Sequence, residues 1–120
     1  MSDDFKKKDN IYLQPGDATV PYTFTFAACS SATANDGSIP YDTLLSAVTV
    51  TVFDAAGADK TSEIVATESN TTLVETVWLK YPATAGAGRY SLEMLVTLDS
   101  GTVMEFDFTR LYATDISAAR

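Results

Sequence analysis

Tyr90-Ser-Leu-Glu-Met-Leu-Val-Thr-Leu98 runs through Asp99-Ser100-Gly101 into Met104-Glu-Phe-Asp-Phe-Thr109. In the first run Tyr90, Leu92, Met94, Val96 and Leu98 alternate with Ser91, Glu93, Leu95 and Thr97. In the second, Met104, Phe106 and Phe108 alternate with Glu105, Asp107 and Thr109. A period of two sends alternate side chains to opposite sides of an extended chain, so both runs predict half-buried strands. The short loop between them ends in glycine, which reaches positive φ without steric cost, and the whole predicts a β-hairpin.

The same period recurs outward from the hairpin. Tyr22, Phe24 and Phe26 alternate with Thr23 and Thr25, and Val48, Val50 and Val52 with Thr49 and Thr51. Threonine suits the outer face because branching at Cβ favours extended backbone. Leu73, Val77, Leu79 and Tyr81 mark one face of another strand, with Glu75 an exception near its start. Trp78 falls on the opposite face, at the rim or beneath a neighbouring molecule. Ile64 and Ala66 suggest a weaker strand, and Ile11 and Leu13 a first edge strand stopping at the turn pair Pro15-Gly16. The strands fall near 11–14, 20–27, 46–54, 62–68, 71–81, 88–98 and 102–112. About seven short strands predict an all-β fold, an immunoglobulin-like antiparallel β-sandwich. One helical turn is expected at Asp42-Thr-Leu-Leu-Ser46, with Asp42 as its cap. Cys29 to Tyr41 is the longest irregular stretch, and Tyr81 to Gly88 reads as a tight crossing. The expected organisation is a mobile N-terminal tail (1–10), one domain (11–112) and a C-terminal tail (113–120).

Composition narrows the chemistry. The chain has 120 residues, a single-domain length, and at 46% apolar it can build a core without staples. Asp and Glu outnumber Lys and Arg 16 to 8, which opposes binding to nucleic-acid phosphates. There is no histidine, so a His-based triad, a His-ligated metal and His acid–base catalysis are excluded. Cys29 is the single cysteine, so neither an internal disulfide nor a thiolate zinc site can form. No apolar run approaches the roughly 18 residues of a membrane helix. The charged N-terminal stretch lacks a signal peptide's apolar core, so synthesis in a host cytoplasm is expected.

The remaining candidates read as ordinary surface chemistry. Glu93, Glu105 and Asp107 occupy the hairpin's outer positions, a solvated acidic face in place of a glycosidase pair. Asn35-Asp36-Gly37 with Asp42, or Asp54 with Asp59, offers oxygens for calcium, yet Asp beside Gly is turn chemistry and neither matches an EF-hand. Lys6-Lys7-Lys8 reads as a solubilising run. No catalytic, cofactor-binding or metal-binding residue is expected. Trp78, Tyr41, Tyr81 and Tyr112 are the aromatics that a carbohydrate-binding module would use.

The order of segments carries a resemblance. Leu13-Gln-Pro-Gly-Asp17 leads into Pro21-Tyr-Thr-Phe-Thr-Phe26, followed by Asp36-Gly-Ser-Ile-Pro-Tyr41 and Ser46-Ala-Val-Thr-Val-Thr-Val52. Leu79-Lys-Tyr-Pro82 then precedes Gly88-Arg-Tyr-Ser-Leu92, and Leu98-Asp-Ser-Gly-Thr102 precedes Glu105-Phe-Asp-Phe-Thr-Arg110. This resembles the small immunoglobulin-like proteins encoded among the structural genes of tailed phages and prophages. It is similar to the N-terminal domain of phage baseplate upper proteins, which opens with a Gly-Asp turn and has a Gly-Arg/Thr-Tyr hairpin strand. Those proteins carry a long C-terminal extension, so the stretch ending at Arg120 is not expected to be a complete receptor-binding assembly. The resemblance implies a non-enzymatic, virion-associated interaction module of head, neck or tail. Its implied partners are other phage structural proteins and, by analogy, further copies of itself, with neither nucleic acid nor membrane among them. Its implied contact residues are Ile11, Tyr12, Leu13, Tyr41 and Trp78; attachment to host glycans is the alternative role.

Overall fold

A computed structural model describes residues 10–16 and 19–114. The lysine run at 6–8 and most of the two expected tails lie outside the described residues. Seven strands form two packed sheets: β1 (Ile11–Leu13), β2 (Val20–Thr25), β3 (Leu45–Asp54), β4 (Val65–Asn70), β5 (Val74–Leu79), β6 (Gly88–Leu98) and β7 (Val103–Ala113). One sheet has the order β1-β7-β6-β3, the other β2-β5-β4. All neighbours are antiparallel except β1, which runs parallel to β7 with Tyr12 opposite Tyr112. The protein is an all-β sandwich.

The hairpin β6–β7 turns where the alternation stops. Gly101 takes φ +92°, its N–H donates to the Leu98 carbonyl at 2.9 Å, and the Leu98 N–H donates to Thr102 at 2.8 Å. Tyr90, Leu92, Met94, Val96 and Leu98 are all buried, as their period demands. On β7 the period breaks. A register shift between the pairs Tyr90–Leu111 and Leu92–Phe108 brings both Phe108 and Leu111 inward, three residues apart. Unbroken alternation would have sent Leu111 out to solvent. The bulge therefore buries Leu111 and turns Tyr112 outward.

The sheets meet through aromatic and branched side chains. Phe24 of β2 meets Phe108 edge-on, with centroids 5.8 Å apart and planes at 66°. Phe26 does the same with Phe106 at 4.9 Å and 69°. Each such pair contributes about 0.5–1.5 kcal/mol beyond its buried area. Pro21 is tolerated because β2 is an edge strand, where a missing N–H costs no ladder bond.

Two local expectations are corrected. Asp42-Thr-Leu-Leu-Ser46 forms no helical turn. Asp42 takes φ +59°, outside the extended region an N-cap needs, and the following groups are recruited elsewhere. The Thr43 hydroxyl donates to Pro40 O, the Leu44 N–H to Asp99 Oδ1, and the Leu45 N–H to Thr72 O. The helical turn instead lies at α1 (Thr61–Ile64), where Ile64 is fully buried; β4 starts only at Val65, and Ala66 is exposed. Asp59 Oδ1 accepts hydrogen bonds from the N–H and hydroxyl of Thr61 and so starts that turn.

Candidate functional site

The bulge in β7 and the parallel register of β1 together create the most exposed aromatic feature. Ile11 and Leu13 point inward and are buried, while Tyr12 between them is 52% exposed. Its ring stacks on Tyr112 with centroids 5.5 Å apart and planes at 22°. Arg89 lies opposite Tyr112 on β6, and its Nε donates to Thr109 O at 3.2 Å. No described strand pairs with the far edge of β1. The Leu13 carbonyl accepts the Thr114 N–H at 2.8 Å on the β7 side. By alternation along the strand, Tyr12 is therefore the residue that turns its main-chain groups to the open edge, and its side chain lies on the outer face beside them.

The other two candidate contact residues stand apart. Tyr41, 51% exposed, lies in the turn before β3, at the end of the sandwich where β6 turns into β7. Trp78 is half-buried on the outer face of β5, opposite Pro21 and Thr67, with Val77 and Leu79 turned inward. Tyr12, Tyr41 and Trp78 thus occupy the outer face of one sheet, one end, and the outer face of the other sheet. The fold does not gather them into one patch.

The stretch from Cys29 to Tyr41 is tied down. Ala28 bridges Ile39, the Cys29 N–H donates to Ile39 O, and the Ser38 Oγ accepts the Ala27 N–H at 2.9 Å. Asp36 accepts both the N–H and the hydroxyl of Ser30, and these bonds hold its carboxyl below the ordinary range. Asp54 accepts the Ala56 and Ala58 N–H groups. Asp59, bonded to Thr61, is likewise held low. Asp36, Asp54 and Asp59, three of the carboxylates weighed as calcium ligands, are thus engaged in closing turns.

Glu93, Glu105 and Asp107 converge on the outer face of the hairpin, with carboxylate oxygens within 4.8 Å of one another. Glu93 faces Asp107 across the ladder. The carboxyl of Glu105 is raised above its ordinary value by a hydrogen bond with Asp107, then by the charges of Asp107 and Glu93. At the opposite end of that sheet a recess of about 350 Å³ is bounded by Asp54, Lys60, Arg89 and Tyr90. Several of its polar groups are already committed: Tyr90 donates to Gly86 O at 2.7 Å, and Lys60 lies 4.0 Å from Glu63.

Two residues already named in the sequence take a place that its reading did not foresee. Glu75 is fully buried on the inner face of β5, and its parity with Val77 and Leu79 was the signal for it. Tyr112 as the partner of Tyr12 carried no local signal, since the pairing depends on the β7 bulge. Among the described residues no helix is long and apolar enough to cross a membrane. No protein-family model, curated protein or solved structure matches the chain.

Proposed function

We propose that the chain is a non-enzymatic, immunoglobulin-like interaction module of a tailed-phage or prophage particle, docking through the open edge of β1. The observation that carries the docking is that edge: a strand border with which no described strand pairs, with a stacked, outward tyrosine pair beside it. Adding a strand there would use main-chain hydrogen bonds for affinity and Tyr12 for specificity. The strand order supports the fold assignment. β2-β5-β4 and β7-β6-β3 follow the B-E-D and G-F-C order of immunoglobulin sandwiches, with the first strand moved beside the last. The setting in a virion rests on the resemblance of its segments to phage structural proteins. Self-assembly into rings or trimers belongs to the same analogy.

Replacing the exposed Tyr12 by aspartate tests the docking edge. The variant is expected to keep its melting temperature and to bind its particle partner more weakly by about 2 kcal/mol, roughly thirtyfold, the loss typical of an aromatic anchor. Wild-type incorporation of a folded Tyr12→Asp chain would move the docking site elsewhere. The exposed rings of Tyr12 and Tyr41 favour a second reading, attachment to host glycans. Selective, saturable glycan binding lost in Tyr12→Asp would support that reading over the structural one.

A further inference from the structure

The interior of the three-stranded sheet contains a feature that docking does not use. Glu75 is 0% exposed on β5, flanked in the ladder by Phe24 of β2 and Asn70 of β4. The next inward position of β4 is Glu68, opposite Val77. Neither carboxyl oxygen of Glu75 has a hydrogen-bond partner, nor does the buried Oε2 of Glu68. Ser38 and Thr43 are the other buried polar residues described, and both hydroxyls are engaged in their own loop. The facing sheet turns Val50, Val52, Leu92, Met94 and Phe108 inward, all apolar. From β2 the one titratable neighbour is Tyr22, opposite Val77. Glu68 is the one charged group that acts on Glu75.

Two ionised carboxylates cannot share such a site, because burying an unpaired charge costs far more than neutralising it. A single proton resolves both problems. Protonated on one oxygen, either carboxyl donates an O–H to the other and supplies the missing partner on both strands.

We propose that Glu68 and Glu75 hold one proton between them, and that this shared proton fastens the edge strand β4 to the sandwich, releasing it when the proton is withdrawn. Burial, then the hydrogen bond that the carboxyl makes with Glu68 once protonated, then the charge of Glu68, raise Glu75 from 4.5 to about 9, so the pair keeps its proton at neutral pH. The folded value lies above the unfolded one. The stabilisation is therefore complete below about 4.5 and is lost progressively as pH rises toward about 9. The folding constant should fall about tenfold per pH unit across that window.

The test combines infrared spectroscopy with hydrogen exchange, corrected for intrinsic rates, on the full chain from pH 5 to pH 9. The expected result is a protonated-carboxyl carbonyl band at pH 7, absent in Glu75→Gln, with amide protection in residues 65–70 declining as pH rises. Glu75→Gln should flatten that decline. Glu68→Gln, which offers Glu75 an N–H donor and removes the neighbouring charge, should flatten it too, so the test survives if one variant fails to fold. The proposal is overturned if β4 protection is constant across the range or if no protonated-carboxyl band exists at pH 7. It is equally overturned if calcium or magnesium stabilises the wild type through Glu75, since a cation would then stand where the proton is assigned.

Discussion

Gly37→Ala is expected to destabilise the protein by about 3 kcal/mol or more, although it adds a single methyl group. A Cβ at Gly37 would lie 2.4 Å from the Ala27 carbonyl oxygen, 2.5 Å from the Cys29 nitrogen and 2.6 Å from the Ala28 carbonyl carbon. All three are main-chain atoms, so no side chain can swing aside. The contact is close because the returning loop is bound to the same segment: the Ser38 N–H donates to Ala27 O at 2.7 Å and the Cys29 N–H to Ile39 O at 2.9 Å. Relief requires the two segments to part, which breaks these bonds and unseats Ile39, a fully buried residue. For a domain of this size the loss corresponds to a fall in melting temperature of roughly 10–15 °C. Thermal denaturation followed by circular dichroism checks it, and a fall of a degree or two would mean that the loop is not packed as described.

Phe24→Ala is expected to cost about 3–5 kcal/mol, the range for truncating a buried phenylalanine. Phe24 is 1% exposed, meets Phe108 edge-on across the two sheets, and lies beside Glu75 in the ladder. Its loss removes transferred apolar area and one inter-sheet aromatic pair. The surrounding ladder residues are fixed by the register, so the space collapses only partly. With total stabilities of about 5–15 kcal/mol in proteins of this kind, the variant would approach the folding threshold. Urea titration should show a lower midpoint with an unchanged slope; a cost under about 1 kcal/mol would contradict the inter-sheet packing.

The hairpin was legible in the sequence because its signals are local: alternation on both strands and a glycine where the turn needs positive φ. The strands around Phe24, Val50 and Val77 follow for the same reason. What escaped is set by long-range geometry. Asp42 reads as a helix cap, but the Leu44 N–H is claimed by Asp99, 55 residues away in sequence. Ile64 reads as a strand residue because a single apolar side chain cannot distinguish a buried helical turn from the strand beside it. Gly37 looks like any turn glycine, and only the approach of Ala27–Cys29 makes it irreplaceable.

The candidate site was partly legible. Alternation in Ile11-Tyr-Leu13 already places Tyr12 opposite its neighbours, and the structure keeps that parity. The stacked partner Tyr112 depends on the β7 bulge and on a parallel pairing of the first and last strands, neither of which has a local sequence code. The separation of Tyr12, Tyr41 and Trp78 onto different faces is likewise a property of topology. Glu75 was visible as an acidic residue in an apolar register, and its energetic consequence became clear only with Glu68 at the next inward position of β4.

The reading as a virion component is tested most directly by mass spectrometry of intact particles. Particles would be induced from a culture carrying the encoding phage or prophage and banded on a density gradient. The expected result is this chain at a reproducible copy number matching a ring or vertex symmetry of the particle. Its confinement to the lysate, with particles assembling normally, would contradict the account.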